Sequence, residues 1–364
     1  MEHFRISFAV SAVLLALAAW WGFGHGGSAG ALEALWIAGV LGVMEVSLSF
    51  DNAVVNASVL RHWSEPWRRL FLTVGMLVAV FGMRLLFPLL IVAVATGLGL
   101  LDVWNMAIHT PAEYARHLSD HHAEVAAFGG AFLLLVFLNF LFDDDKELHW
   151  LGRIERHVGY HGTESLATLI TLCASFVCMS MMPAERQLAV LIAGVAGVAV
   201  YIAVGWLGGL LEEKQADDGA AHESGAGAGS GGAAGAGAAL ARGSIGAFLY
   251  LEVLDASFSF DGVIGAFAIT SDVVIIMLGL AIGAMFVRSL TVFLVHKGTL
   301  DQFVYLEHGA HYAIGILALI MFASVKYHIP EWFTGLSGVA FIAVSLWSSI
   351  RYQKKHGLPH HDHT

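Results

Sequence analysis

Hydrophobic residues fall in long unbroken runs, not in the one-sided or alternating patterns of soluble helices and strands. Several runs exceed the roughly 18 residues that mark a candidate bilayer crossing. Ten spans can be drawn, at about 5–23, 32–60, 69–98, 124–142, 165–182, 187–211, 244–270, 273–295, 308–325 and 333–350. The first follows Arg5 and runs about 18 residues, long for the apolar core of a signal peptide; it reads as a retained helix. Between the sixth and seventh spans the residues of 219–239 are almost all Gly, Ala and Ser. Gly at that density holds no helix and makes a tether. The expected division is an N-terminal membrane half (1–211), a flexible cytoplasmic linker (212–243) and a C-terminal membrane half (244–364) with a His-containing tail. The expected fold is all-α: a polytopic membrane protein of about 10 transmembrane helices.

Composition agrees. The 364 residues are 57% hydrophobic and 13% charged, with mean hydropathy +0.72, against about 25% charge in soluble domains. The net charge of −11 and the lack of a basic stripe argue against nucleic acid. Cys173 and Cys178 share one apolar stretch and read as small hydrophobic residues, neither a disulfide framework nor a zinc site. With the N-terminus inside, inner segments hold thirteen Lys and Arg against three outside. Both termini are thus expected in the cytoplasm and the protein in the inner (plasma) membrane.

Two spans carry the same acidic sentence. Residues 45–51 read EVSLSFD and residues 255–261 read DASFSFD. A carboxylate at mid-membrane costs about 2.5–3.5 kcal/mol on insertion scales, so such groups are functional by default. Glu45, Asp51, Asp255 and Asp261 are the candidate metal ligands. The span after each motif carries one arginine, Arg84 or Arg288, nine residues beyond Gly75 or Gly279. Each unit is therefore acid motif, loop, then Gly and Arg, with a third apolar helix following. The units cover about 32–142 and 244–325. They begin five spans apart, an odd number, so they enter the membrane from opposite sides. Inverted three-helix repeats of this kind place a site at the midplane between the copies.

Acids six residues apart on a continuous helix point about 120° apart. Convergence on one ion needs a helix break or ligands shared between copies. Ser47, Ser49, Ser257 and Ser259 favour a break, since such hydroxyls bond local backbone. Four carboxylates against two arginines leave room for one divalent cation at neutrality, with Arg84 and Arg288 as counter-charges. Asn52, Asn56, Ser49, Ser259 and Glu252 are possible additional ligands. All are oxygen donors, which suits Mn2+, Ca2+ or Mg2+ as the transported substrate; zinc or copper would recruit His or Cys.

The stretches MEVSLSFDNAVV and LEVLDASFSFDGVIGAFA resemble the TerC family of tellurium-resistance membrane proteins, within the LysE transporter superfamily. The family's E-x5-D-N pattern falls on Glu45, Asp51 and Asn52. Its later V-E-x2-D-x5-D pattern falls on Glu252, Asp255 and Asp261, with Leu251 in place of the Val. GMLVAVFGMRLLF and VKYHIPEW are also similar. The resemblance covers roughly 32–98 and 244–350. It implies a metal-handling inner-membrane protein, with manganese export, metal supply to exported enzymes, or tellurite resistance as its functions. The long linker, a His-bearing outer loop and the extra N-terminal span depart from shorter members.

The leading expectation is a divalent-cation transporter, most simply a manganese exporter, and not an enzyme. Its expected partners are the lipid bilayer, metal ions and metal-requiring exported proteins. The alternatives are a membrane protein that binds metal and delivers it without net transport, an organic-solute exporter by analogy with the superfamily, and an intramembrane aspartyl protease. No Gly-x-Gly-Asp stretch supports the protease. His109, His117, His121 and His122 in the outer loop, and His356, His360, His361 and His363 in the tail, read first as solvated polar groups. Asp143, Asp144 and Asp145 read as an interfacial charge run.

Overall fold

In the computed structural model the described residues are 4–75, 77–143, 146, 148–219, 244–296 and 303–356; the core of the linker and the tail lie outside them. The described residues form helices and no strands. The elements are α1 (Arg5–Leu48), α2 (Phe50–Leu60), α3 (Glu65–Leu70), two π-helical stretches (Phe71–Gly75 and Val78–Leu86), α4 (Phe87–Thr96), α5 (Leu100–His109), α6 (Pro111–Asp120), α7 (His122–Phe142), α8 (Arg153–His161), α9 (Glu164–Ser180), α10 (Ala184–Gly219), α11 (Ile245–Ile269), α12 (Val273–His296), α13 (Leu306–Ser324) and α14 (Glu331–His356).

Among the described residues, seven helices are long and apolar enough to cross a bilayer. One is α1, at 44 residues too long for a single crossing. It breaks at Gly27, whose φ of +62° suits glycine alone. The backbones of Gly22 and Gly30 then press together and Ala18 packs with Ala34 and Ala38, so α1 doubles back as a hairpin carrying the first two spans. The outer loop folds into two amphipathic helices that carry Val103 and Ala107, and Tyr114 and Leu118, each pair four residues apart. These four side chains are buried on the core side of α5 and α6, so the expected loop is a helical pair.

Packing between the halves is reciprocal. The second arm of α1 and α2 lie on α12, while α11 lies on the π-helical stretch and α7 lies on α13. At one contact Gly279 of α12 meets Ala38 and Leu41, with Gly42 beside it; at the other Gly75 meets Glu252 of α11. Each glycine lets a backbone come within reach of the facing first helix.

Local chemistry explains the irregular stretches. Pro88 lacks an N–H for the ladder, and the helix winds wide just before it. Arg84 Nη1 donates to the Ala79 carbonyl five residues back, at 2.7 Å. Ser49, with φ −99° and ψ 16°, separates α1 from α2, so the first motif contains a break. The second does not: α11 runs unbroken from Ile245 to Ile269. Ser257 there donates to the Val253 carbonyl at 2.9 Å, which adds a bond without removing one from the ladder. Serine content therefore signals a break in one copy only.

Candidate intramembrane carboxylate site

Glu45 lies in the last turn of the second arm of α1, and only 1% of it is exposed. Its carboxylate forms a buried ion pair with the Arg84 guanidinium. Ser49 Oγ donates to the same oxygen at 2.8 Å, so the break at Ser49 turns its hydroxyl back onto Glu45. The other oxygen faces α11, 2.9 Å from where a Cβ on Gly262 would stand.

The second copy meets this pair through Asn52. Its Nδ2 donates to Asp255 Oδ1, joining α2 to α11. Asp255 also lies within electrostatic reach of Arg84 and lines the same cavity. Glu45, Arg84, Asn52 and Asp255 thus form one buried constellation drawn from both halves. Asp51 points away from it. Its Oδ1 accepts from the Asn52 N–H at 2.9 Å, and its carboxylate rests against Gly338 of α14. Asp261 sits on the continuous α11, and its side chain lies outside the described residues.

Two cavities of about 30 Å3 each flank the constellation, each near the room one water or bare ion needs. One is lined by Glu252, Asp255, Asn56, Arg84 and Arg288. The other holds Glu45, Ser49 and Asp51, with Thr334 and Gly335 of α14. Several oxygens here are buried without a hydrogen-bond partner among the described residues: both of Glu252, Asp255 Oδ2, and the amide oxygens of Asn52 and Asn56. Ser259 Oγ is a further one. Buried polar groups are nearly always satisfied, so this concentration of bare acceptors is unusual for a packed interior. Among the described residues, no group of three or more His, Cys, Asp or Glu comes together as a ligand set.

The two arginines behave differently. Arg84 is paired within its own unit, whereas Arg288 Nε crosses over to donate to the Leu72 carbonyl of the other unit at 2.7 Å. Of the sequence-level candidates, Glu45, Arg84, Asn52 and Asp255 are joined directly. Asn56, Glu252 and Arg288 share their cavity, and Ser49 and Asp51 share the second.

The tenth drawn span is α14, but its place beside Asp51 was not foreseen from the sequence. Two glycines one turn apart, Gly335 and Gly338, were the available signal. Sequence reasoning also missed a cluster at one end of the bundle, where buried Glu155 meets Lys146 at 3.0 Å and His308 at 3.5 Å. Burial pushes the Glu155 carboxyl up, but the Lys146 hydrogen bond, the Leu151 amide and the nearby Lys146 and His308 charges outweigh it. The net effect holds it below the ordinary carboxylate range. Asp143 lines a wider cavity of about 430 Å3 there, with Arg61 and Glu307; Asp144 and Asp145 lie outside the described residues. His121 lies 3.8 Å from Glu124; His360, His361 and His363 of the tail, and the His356 side chain, lie outside the described residues.

Comparison with known proteins gives a coarse identity. The chain is 34% identical over 98 residues to a protein of Bacillus subtilis (strain 168) named "Uncharacterized membrane protein YceF". That match covers 26% of this chain and 37% of the relative's length. No solved structure matches. A family model described as "Protein of unknown function (DUF475)" matches residues 50–356, most of the chain, and this all-helical polytopic membrane protein belongs to that family.

Proposed function

We propose that this protein carries a divalent cation across the inner membrane, with manganese export the favoured case. The observation that carries the reading is the buried junction of the two motifs: Asn52 on Asp255, beside Glu45 and Arg84. It is surrounded by unpartnered oxygens and by two cavities of ionic size. A bundle that needed these groups only for stability would satisfy them, since each bare buried acceptor costs about 1–3 kcal/mol. An arriving cation supplies the missing partner. The all-oxygen donor set favours a hard ion.

Reciprocal packing supports reading the halves as inverted units, and the TerC-like motifs lie at their interface. The positive-inside bias supports cytoplasmic termini. Arg84 acts as a tethered counter-charge, so that the empty site is not a cluster of bare acids. Asp51 and Asp255 are the carboxylates of two half-sites, one in each cavity.

Flux of manganese into proteoliposomes containing the purified full chain tests this. Asp51→Asn and Asp255→Asn should each abolish flux while the protein stays monodisperse. Normal flux in either variant would remove that residue from the site. Saturable manganese binding without any flux would turn the reading to metal delivery.

A further inference from the structure

The final helix, α14, belongs to neither three-helix unit, yet it walls the cavity around Asp51. Thr334 and Gly335 line that space together with Glu45, Ser49 and Asp51. At Gly335 a Cβ would stand 2.9 Å from Leu48 Cδ2, and at Gly338 it would overlap the Asp51 carboxylate. Only residues without a side chain bring α14 this close. Asp51 is 5% exposed. Its Oδ1 takes the Asn52 N–H, and no side chain among the described residues donates to Oδ2. The corresponding cavity around Glu252 and Asp255 is lined by no residue of α14.

We propose that α14 completes the Asp51 half of the cation site, with the Thr334 hydroxyl as a further oxygen ligand and Gly338 as the clearance the Asp51 carboxylate needs. The inference rests on the cation-transport reading. Hard divalent cations take six or more oxygens. Glu45 is already committed to Arg84 and Ser49, which leaves this cavity short of donors. A hydroxyl from α14 adds an oxygen without adding charge to a membrane interior. A Cβ at position 338 would occupy the space into which Asp51 Oδ2 faces. The half-sites are therefore chemically unequal: one is closed by a helix outside the repeat, the other by the Arg84- and Arg288-bearing helices.

The test measures manganese binding in detergent and manganese flux in proteoliposomes, on the full chain, in parallel. Thr334→Val keeps the volume and removes the oxygen. It should weaken manganese binding about tenfold or more, the scale of one lost contact to a charged group, with a matching rise in half-saturating concentration. Thr334→Ser, which restores the oxygen, should recover most of that loss. Gly338→Ala should lose binding and flux, whereas Gly39→Ala, whose Cβ would meet nothing within 4 Å, should match the parent. Parent-like binding in Thr334→Val overturns the inference, and an inactive Asp51→Asn in the same preparations shows the transport reading still standing. A parent that neither binds nor moves manganese overturns both. If Gly338→Ala fails to fold, the Thr334 pair decides alone.

Discussion

The Glu45–Arg84 pair makes an unsymmetrical prediction. Both side chains are almost wholly buried, at 1% and 3% exposed. Removing one member of such a pair typically costs about 3–5 kcal/mol, because the survivor keeps its charge without compensation. The two members do not leave equal survivors. After Glu45→Gln, Arg84 still faces Asp255 and still donates to the Ala79 carbonyl at 2.7 Å. That variant should cost about 1–3 kcal/mol, nearer the loss of one charged hydrogen bond. After Arg84→Gln, Glu45 and Asp255 face one another with no cation between them, so the cost should reach about 5 kcal/mol. The double variant Glu45→Gln/Arg84→Gln removes both charges and should be more stable than Arg84→Gln alone, a coupling of at least about 1 kcal/mol. Unfolding in mixed micelles, followed by tryptophan fluorescence, measures all three. Equal losses in the single variants, or strict additivity in the double, would refute the claim that Arg84 serves two acids.

Three further outcomes are expected. Asn52→Leu leaves Asp255 without its donor from the other half, so it should lower stability by about 1–3 kcal/mol; an unchanged thermal midpoint would show that the Asn52–Asp255 contact does not join the halves. Gly27→Ala places a side chain at φ +62° and should cost about 1–2 kcal/mol, read in the same unfolding assay, while Gly24→Ala, with open space around it, should not. Glu155 has a folded-state pKa below its unfolded value, so its contribution is fully present above the ordinary carboxylate pKa of about 4.3 and is lost as pH falls through the lower folded value. Between pH 7 and pH 3 the parent should therefore lose more thermal stability than Glu155→Gln, and matched losses would contradict this.

Most of the fold is legible because a bilayer allows few solutions: each uninterrupted apolar run must be a helix. All ten drawn runs fall on helical segments, including the two arms of α1 and the 17-residue α9. The local detail is less legible. The motifs look alike, and Ser47 and Ser257 each bond the carbonyl four residues back, yet the helix breaks at Ser49, whose hydroxyl turns onto Glu45, and not at its counterpart Ser259. The pairing of Glu45 with Arg84 follows the expectation of a counter-charge, but the Arg288 contact with a backbone carbonyl does not. Burial and facing partners decide which acceptor an arginine takes, and spacing in one chain records neither. The α14 wall was invisible for a related reason: Gly335 and Gly338 matter through what they leave empty beside Asp51.

That difference between the arginines bears on how the inverted-repeat reading would operate. Transporters of that architecture move by rocking one repeat against the other, so contacts held by one unit in one state can pass to its counterpart in the next. Here Arg84 holds an acid of its own unit, while Arg288 donates to the Leu72 carbonyl across the interface. On the exchange argument, Arg288 would take up Asp255 in the opposite state as Arg84 releases Glu45. In the state described here, Arg288→Gln removes little more than one hydrogen bond and should cost about 1 kcal/mol, far less than Arg84→Gln. Yet it should stop manganese flux as completely, because the second state loses its ion pair. The comparison separates stability from transport in one pair of variants. A stable Arg288→Gln protein with parent-like flux would make Arg288 an anchor for the Leu72 turn and nothing more.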